Sequence, residues 1–228
     1  MSPPQCVRPT TSTRAEPARW ADLLARARAL GCGGRRILGI TGPPGAGKST
    51  LAHRLVEAVG QTAALIGMDG YHLAQAELER LGRAGRKGAP DTFDGAGFVA
   101  LLRRLRTPGT DTVYAPKFQR AIEEPIAGAV PVPPDVRLIV TEGNYLLLAA
   151  PPWSAIRGLL DEVWFLAPDE GTRHRWLIAR HRRFGRTAEQ AARWVTGSDQ
   201  DNARLIVPTA DLADLILDPA QLHWAARQ

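Results

Sequence analysis

The stretch Gly42-Pro43-Pro44-Gly45-Ala46-Gly47-Lys48-Ser49-Thr50 decides the fold. It fits G-x-x-x-x-G-K-[ST] at every fixed position. Ile37-Leu38-Gly39-Ile40 before it reads as a strand, and Leu51-Ala52-His53-Arg54-Leu55-Val56 after it reads as the first turns of a helix. Strand, glycine loop and helix in that order make a cradle for phosphate. The glycines let backbone N–H groups turn inward, and the helix N-terminus adds positive potential. Lys48 is placed to reach terminal phosphates, and the Ser49 hydroxyl suits Mg²⁺. Pro43 and Pro44 stiffen the loop and remove two donors outside the part that wraps phosphate. A glycine-rich turn that binds nothing is the bland alternative, and the ordered context weighs against it. The expectation is a nucleoside triphosphate site with Mg²⁺.

Such a loop implies an α/β phosphate-loop NTPase fold, and the rest of the chain offers its further strands. Residues 62–68 read as a second buried strand, ending in Asp69-Gly70-Tyr71-His72. Residues 136–141 read as a third, ending in Glu142-Gly143-Asn144-Tyr145. Residues 161–166 and 214–217 supply a fourth and a fifth. Ligands of parallel α/β sheets bind at the carboxyl ends of strands, so Asp69 and Glu142 fall beside the triphosphate. A carboxylate there can accept a hydroxyl proton or hold a metal. A helix cap or turn is the alternative reading of Asp69.

Between the strands, residues 17–30 have helical spacing and are expected to cover one edge of the sheet. Residues 74–81 read as a short helix, and 82–90 as a basic glycine-rich flap. Asp91 is a candidate cap for a helix carrying Phe98, Leu101, Leu102 and Leu105. Residues 111–134 are proline-rich and read as an extended or hairpin excursion. Pro151-Pro152-Trp153 is expected to start a helix ending near Leu160. The segment 173–193 holds seven arginines and two histidines against one acid, Glu189. Thr187-Ala188-Glu189-Gln190 has capping-box form, so helix, turn, helix is expected there. That describes a lid whose arginines close over phosphates. A solvated arginine-rich face is the alternative.

Composition excludes several classes. The 228 residues, 44% apolar, suit one domain, taken as 18–228 behind a disordered tail over 1–17. The two cysteines, Cys6 and Cys32, make no disulfide framework, and no apolar run is long enough for a membrane span. The tail lacks the apolar region of a secretory signal, and a cytoplasmic location is expected. The net charge is +6. It suits a polyphosphate ligand, and few aromatics interleave the arginines as a nucleic-acid surface requires. Three of the 29 basic residues are lysines, Lys48, Lys87 and Lys117. A homodimer is left open.

Five blocks occur in order: the phosphate loop; Asp69-Gly70-Tyr71-His72-Leu73; Arg86-Lys87-Gly88-Ala89-Pro90 with Thr92-Phe93-Asp94; Tyr114-Ala115-Pro116; and Glu142-Gly143-Asn144-Tyr145-Leu146. Over residues 37–218 the chain resembles the phosphate-loop kinases that include bacterial pantothenate kinase, uridine kinase and phosphoribulokinase. It looks closest to a bacterial subgroup labelled nucleoside/nucleotide kinase or fructose-transport-system kinase. The resemblance implies a five-stranded parallel sheet flanked by helices, with an arginine-rich lid, and phosphate transfer from ATP–Mg²⁺ to an alcohol of a small molecule. It implies a general base at Asp69 and a metal-side acid at Glu142. It places Arg180, Arg183 and Arg186 in the lid, and Tyr71, His72, Lys87, Tyr114, Arg120 and Asn144 in blocks that line the acceptor pocket. Thr92-Phe93-Asp94 lacks the tyrosine of the pantothenate kinase version, and His72 stands where uridine kinases carry an aromatic pair. The acceptor is therefore not carried over. A nucleotide-binding regulator and a nucleic-acid-stimulated ATPase are the rival classes. The chain lacks the N-K-x-D tetrapeptide of guanine switches.

Overall fold

A computed structural model describes residues 19–107 and 109–222. The tail expected over 1–17 and the helix start at Pro17 lie outside the described residues.

The strand before the phosphate loop, β1 (Arg36–Thr41), is buried along five of its six residues. A run apolar on both faces belongs at the centre of a parallel sheet. Its neighbours are β5 (Leu138–Glu142) and β6 (Glu162–Leu166), and the edges are β2 (Ala63–Gly67) and β7 (Leu215–Leu217). All pairings are parallel, in the order β2-β5-β1-β6-β7. In register, Ile40 and Gly67 both lie opposite Glu142. The phosphate loop, Asp69 and Glu142 therefore leave the sheet at one level of one edge.

Helices cover both faces. On one, α1 (Trp20–Leu30) and α2 (Lys48–Val59) bury Leu23, Ala27, Leu51 and Leu55 against Leu38, Ile40, Val140 and Trp164. α1 thus lies on a face beside α2, and not along an edge as expected. Its Leu23–Ala27 stripe needs an apolar bed, and the β1, β5 and β6 side chains on this face supply it. Arg26 of α1 pairs with Glu162, whose carboxylate also accepts from the Trp164 indole at 2.6 Å.

After β2 come α3 (Gln75–Arg80) and α4 (Gly95–Arg106). On the second face, α4 packs Phe98, Leu102 and Leu105 against Ile37, Ile139, Val163 and Phe165. Its N-cap is Asp94, whose Oδ1 accepts from Gly97 N at 2.8 Å. Asp91, the expected cap, sits in a separate 3₁₀ turn and pairs with Arg83 and Arg86. The stretch after Pro151 forms two 3₁₀ turns, Trp153–Ala155 and Arg157–Leu159, in place of the expected α-helix. So short a segment cannot repay helix nucleation, and burial of Trp153 and Ile156 fixes it instead.

The proline-rich excursion is a hairpin of β3 (Val113–Gln119) and β4 (Glu124–Val132). Its register shifts between Ala115 and Lys117, where Pro116 has no N–H to offer the ladder. The lid segment folds as α5 (Glu170–Arg183) and α6 (Ala188–Trp194), and the Thr187–Gln190 capping box is present. A π-helical turn over Val195–Asp199, with Gly197 off helical geometry, leads into α7 (Gln200–Ile206).

Candidate active site

The sheet edge, the flap, the hairpin and the lid enclose a cleft of about 640 Å³. Its floor is the phosphate loop. Gly45 holds φ +80°, and a Cβ there would meet Leu177 Cγ of α5 at 2.4 Å. Only glycine fits a loop so bent and so closely overlain. Lys48 is buried, and its Nζ donates to the carbonyls of Gly42 and Pro43 at 2.9 and 3.0 Å. Burial pushes the ammonium down to about 8, while the charges of Glu142 and Asp69 oppose the fall. Pro44, Gly47, Ser49 and Thr50 line the same floor, and Ala46 is buried beneath it.

Beside the floor, the Ser49 hydroxyl donates to Glu142 Oε1 at 3.0 Å. Burial raises the Glu142 carboxyl, and the charge of Asp69 raises it further. A hydroxyl and a carboxylate side by side next to a phosphate cradle are the donor set Mg²⁺ takes alongside phosphate oxygens, so the residues fit that ion. Asp69 stands across from them, and its Oδ2 accepts from Arg120 Nη2 at 3.1 Å. Asn144 lines the cleft, and its carbonyl accepts from the Thr41 hydroxyl at 3.2 Å.

Away from the loop the walls turn aromatic and basic. The His72 ring lies 4.0 Å from that of Phe93 and 4.9 Å from that of Phe118, by centroids. Burial lowers the His72 imidazole, which favours its neutral form. Lys87 Nζ donates to the Glu123 carbonyl at 2.7 Å. From the lid, Arg180 and Arg186 line the cleft, and the Arg186 guanidinium lies 3.8 Å over the Trp194 ring. The flap is also held at the Gly88 carbonyl. The Gly88 carbonyl accepts from the Tyr145 hydroxyl at 2.5 Å and from Asn202 Nδ2 at 3.3 Å.

Three sequence candidates stand elsewhere. Tyr71 packs its ring on Phe98 at 5.3 Å beneath the site, where burial raises its hydroxyl to about 12. Tyr114 is 60% exposed on the outer face of the hairpin, because strand alternation turns Ala115 inward instead. Arg183 is exposed and is not among the cleft residues; Leu177 and His181 of α5 are the buried ones, and Arg183 falls off their face. Conversely, Phe93, Phe118, Asp199 and Asn202 line the cleft without having been singled out. Asp199 pairs with His181 at 2.7 Å, both buried. A signal existed for two of these. Val195, Asp199, Asn202 and Ile206 fall on one helical face, so polar residues occupy positions phased with the core.

The family model of the phosphoribulokinase/uridine kinase family matches residues 37–222. The chain belongs to that family. A Schizosaccharomyces pombe protein named as a uridine kinase is 32% identical over 199 residues, covering 82% of this chain and 85% of the relative. A pantothenate kinase of Enterococcus faecalis is 26% identical over 217 residues, covering 82% of this chain and 69% of the relative. Among solved structures, one described as a fructose transport system kinase from Silicibacter sp. TM1040 superposes with a TM-score of 0.76 at 35% identity, covering 85% of this chain and 98% of that one. This phosphoribulokinase/uridine kinase family member is accordingly a phosphate-loop kinase of the kind that phosphorylates hydroxyl groups. No helix among its described residues is long and apolar enough to cross a membrane.

Proposed function

We propose that the chain transfers the γ-phosphate of ATP to a hydroxyl of a small molecule, with Asp69 as the base. One observation carries this reading. The Asp69 carboxylate and the Ser49–Glu142 pair face one cleft above the Lys48 loop, so an acceptor and a triphosphate can meet between them. Lys48 exchanges its two carbonyl partners for phosphate oxygens. Ser49 and Glu142 would hold Mg²⁺, which neutralises charge on the phosphates. Asp69 orients the acceptor hydroxyl and takes its proton as the new oxygen–phosphorus bond forms and the bond to the departing ADP oxygen breaks. Arg180 brings positive charge to the transferring group and helps exclude water, which would otherwise waste ATP. His72, Lys87, Arg120 and Asn144 bound the acceptor space. We place the work in a single domain whose lid is the α5–α6 segment.

The test is ADP release from ATP–Mg²⁺ with a panel of nucleosides, sugars, sugar phosphates and pantothenate, with product mass as the check. Asp69→Asn should cut turnover by about 10²–10⁴-fold while leaving ATP binding intact. Near-normal turnover of that variant with a normal fold would remove Asp69 from the chemistry.

A further inference from the structure

Arg186, Arg120 and Lys87 all line the cleft, and the hydrogen bonding of Arg186 is incomplete. Arg186 Nη1 is fully buried and, among the described residues, has no hydrogen-bond partner. A buried guanidinium nitrogen left unpaired is costly and calls for a missing acceptor atom. Arg120 lies 5.6 Å over the Phe118 ring and 5.9 Å over the Phe184 ring, and one of its nitrogens bonds Asp69 Oδ2. Lys87 Nζ lies 5.5 Å over the same Phe118 ring and donates to the Glu123 carbonyl at 2.7 Å and to Gln75 Oε1 at 3.4 Å. The nearby carboxylates are otherwise engaged: Asp199 with His181, Glu142 with Ser49, Glu124 with the backbone of Gln75. Among the described residues Asp69 is the one carboxylate paired with these cations, and it is the group the proposed chemistry needs free.

We propose that the acceptor is a small hydroxylated anion, bearing a carboxylate or phosphate group, and that its charge draws Arg120 off Asp69. This rests on the kinase reading above. Arg120 holds one of the two Asp69 oxygens and crowds the approach of a hydroxyl to that side of the carboxylate. The acceptor's anionic end gives Arg120 and Arg186 a planar or tetrahedral partner for their forked donors, with Lys87 as a point charge beside them. Released, Asp69 meets the hydroxyl. A neutral sugar or nucleoside offers Arg120 no charge to exchange for that of Asp69, so the mask stays in place. Arg120 thereby acts as a specificity residue and as a guard against idle hydrolysis.

Two measurements test this, one of them independent of the acceptor's identity. With a non-hydrolysable ATP analogue filling the phosphate loop, sulfate should raise the melting temperature of the wild-type protein. The rise should be lost in Arg120→Leu and in Arg186→Gln. Equal stabilisation of all three proteins, or none in the wild type, overturns the anion subsite. Matched acceptors are then compared, glycerate against glycerol and ribose 5-phosphate against ribose, which also separates carboxylate from phosphate. KM for the preferred anion should rise about tenfold to a hundredfold in Arg120→Leu, with partial rescue in Arg120→Lys. Acceptor-free ATP hydrolysis should rise in Arg120→Leu as Asp69 is uncovered. Turnover of a neutral acceptor with KM unmoved by Arg120→Leu would sink the proposal while leaving the kinase reading standing. Loss of all transfer that depends on Asp69 would sink the kinase reading, and the sulfate measurement would still report on the subsite.

Discussion

Lys48 shows how a single side chain links stability to function. Folding takes a lysine from its ordinary 10.5 down to about 8 by burial. Between those values the unfolded chain binds more protons than the native one. Stability of the empty protein should therefore rise with pH from about 8 to about 10.5, and below 8 the full penalty is present. That penalty is about 3 kcal/mol at neutral pH by linkage. Lys48→Met should consequently stabilise the empty protein in a denaturant melt at pH 7 by about 1–3 kcal/mol while removing nucleotide binding. The ammonium form is the one that phosphate needs. ATP affinity should fall as pH rises above about 8, by up to about tenfold per unit, with proton uptake visible in calorimetry across buffers. The placing of Lys48, Ser49 and Glu142 at the cleft is legible in the sequence because it follows from local spacing or a strand end. Tyr71, Tyr114 and Arg183 were misplaced because facing depends on which side of a hairpin or helix the tertiary fold buries.

At the scale of elements, the phosphate loop and α5 meet closely at Gly45 and Leu177. Gly45→Ala would force a Cβ into Leu177 and a side chain onto a left-handed backbone. It should cost about 1–3 kcal/mol and weaken ATP binding. Adding Leu177→Ala should recover the steric part, leaving the backbone strain, and a double-mutant cycle on melting free energies would show the coupling. Thr187→Ala removes the α6 cap and should cost about 1 kcal/mol, read by hydrogen exchange confined to the lid. The capping box was legible because it is a four-residue pattern. The face chosen by α1 and the failure of a helix after Pro151 were not, since both are settled by partners distant in sequence.

For the molecule as a whole, the strand order β2-β5-β1-β6-β7 was beyond the sequence, although each of its five strands was visible as an apolar run. Order arises from which strands share a face under which helices, a non-local matter. The net charge of +6 has a local explanation in the lid and in the basic end of the cleft. ATP hydrolysis should accordingly be indifferent to added duplex DNA or RNA. Stimulation by either would revive a nucleic-acid role. The core is conventional. Phe98→Ala, at the centre of the second face, should destabilise by about 3–5 kcal/mol in a denaturant melt.

One carbonyl has a reach beyond its size. Gly88 O is held by Tyr145, which follows the Glu142 strand, and by Asn202, which follows the lid. The flap and the helix that follows the lid therefore share an anchor. When one substrate settles its side of the cleft, the shared anchor carries part of the ordering the other side requires. The two substrates should then bind with positive cooperativity, each raising the other's affinity by the same factor, as titration of one with and without the other would show.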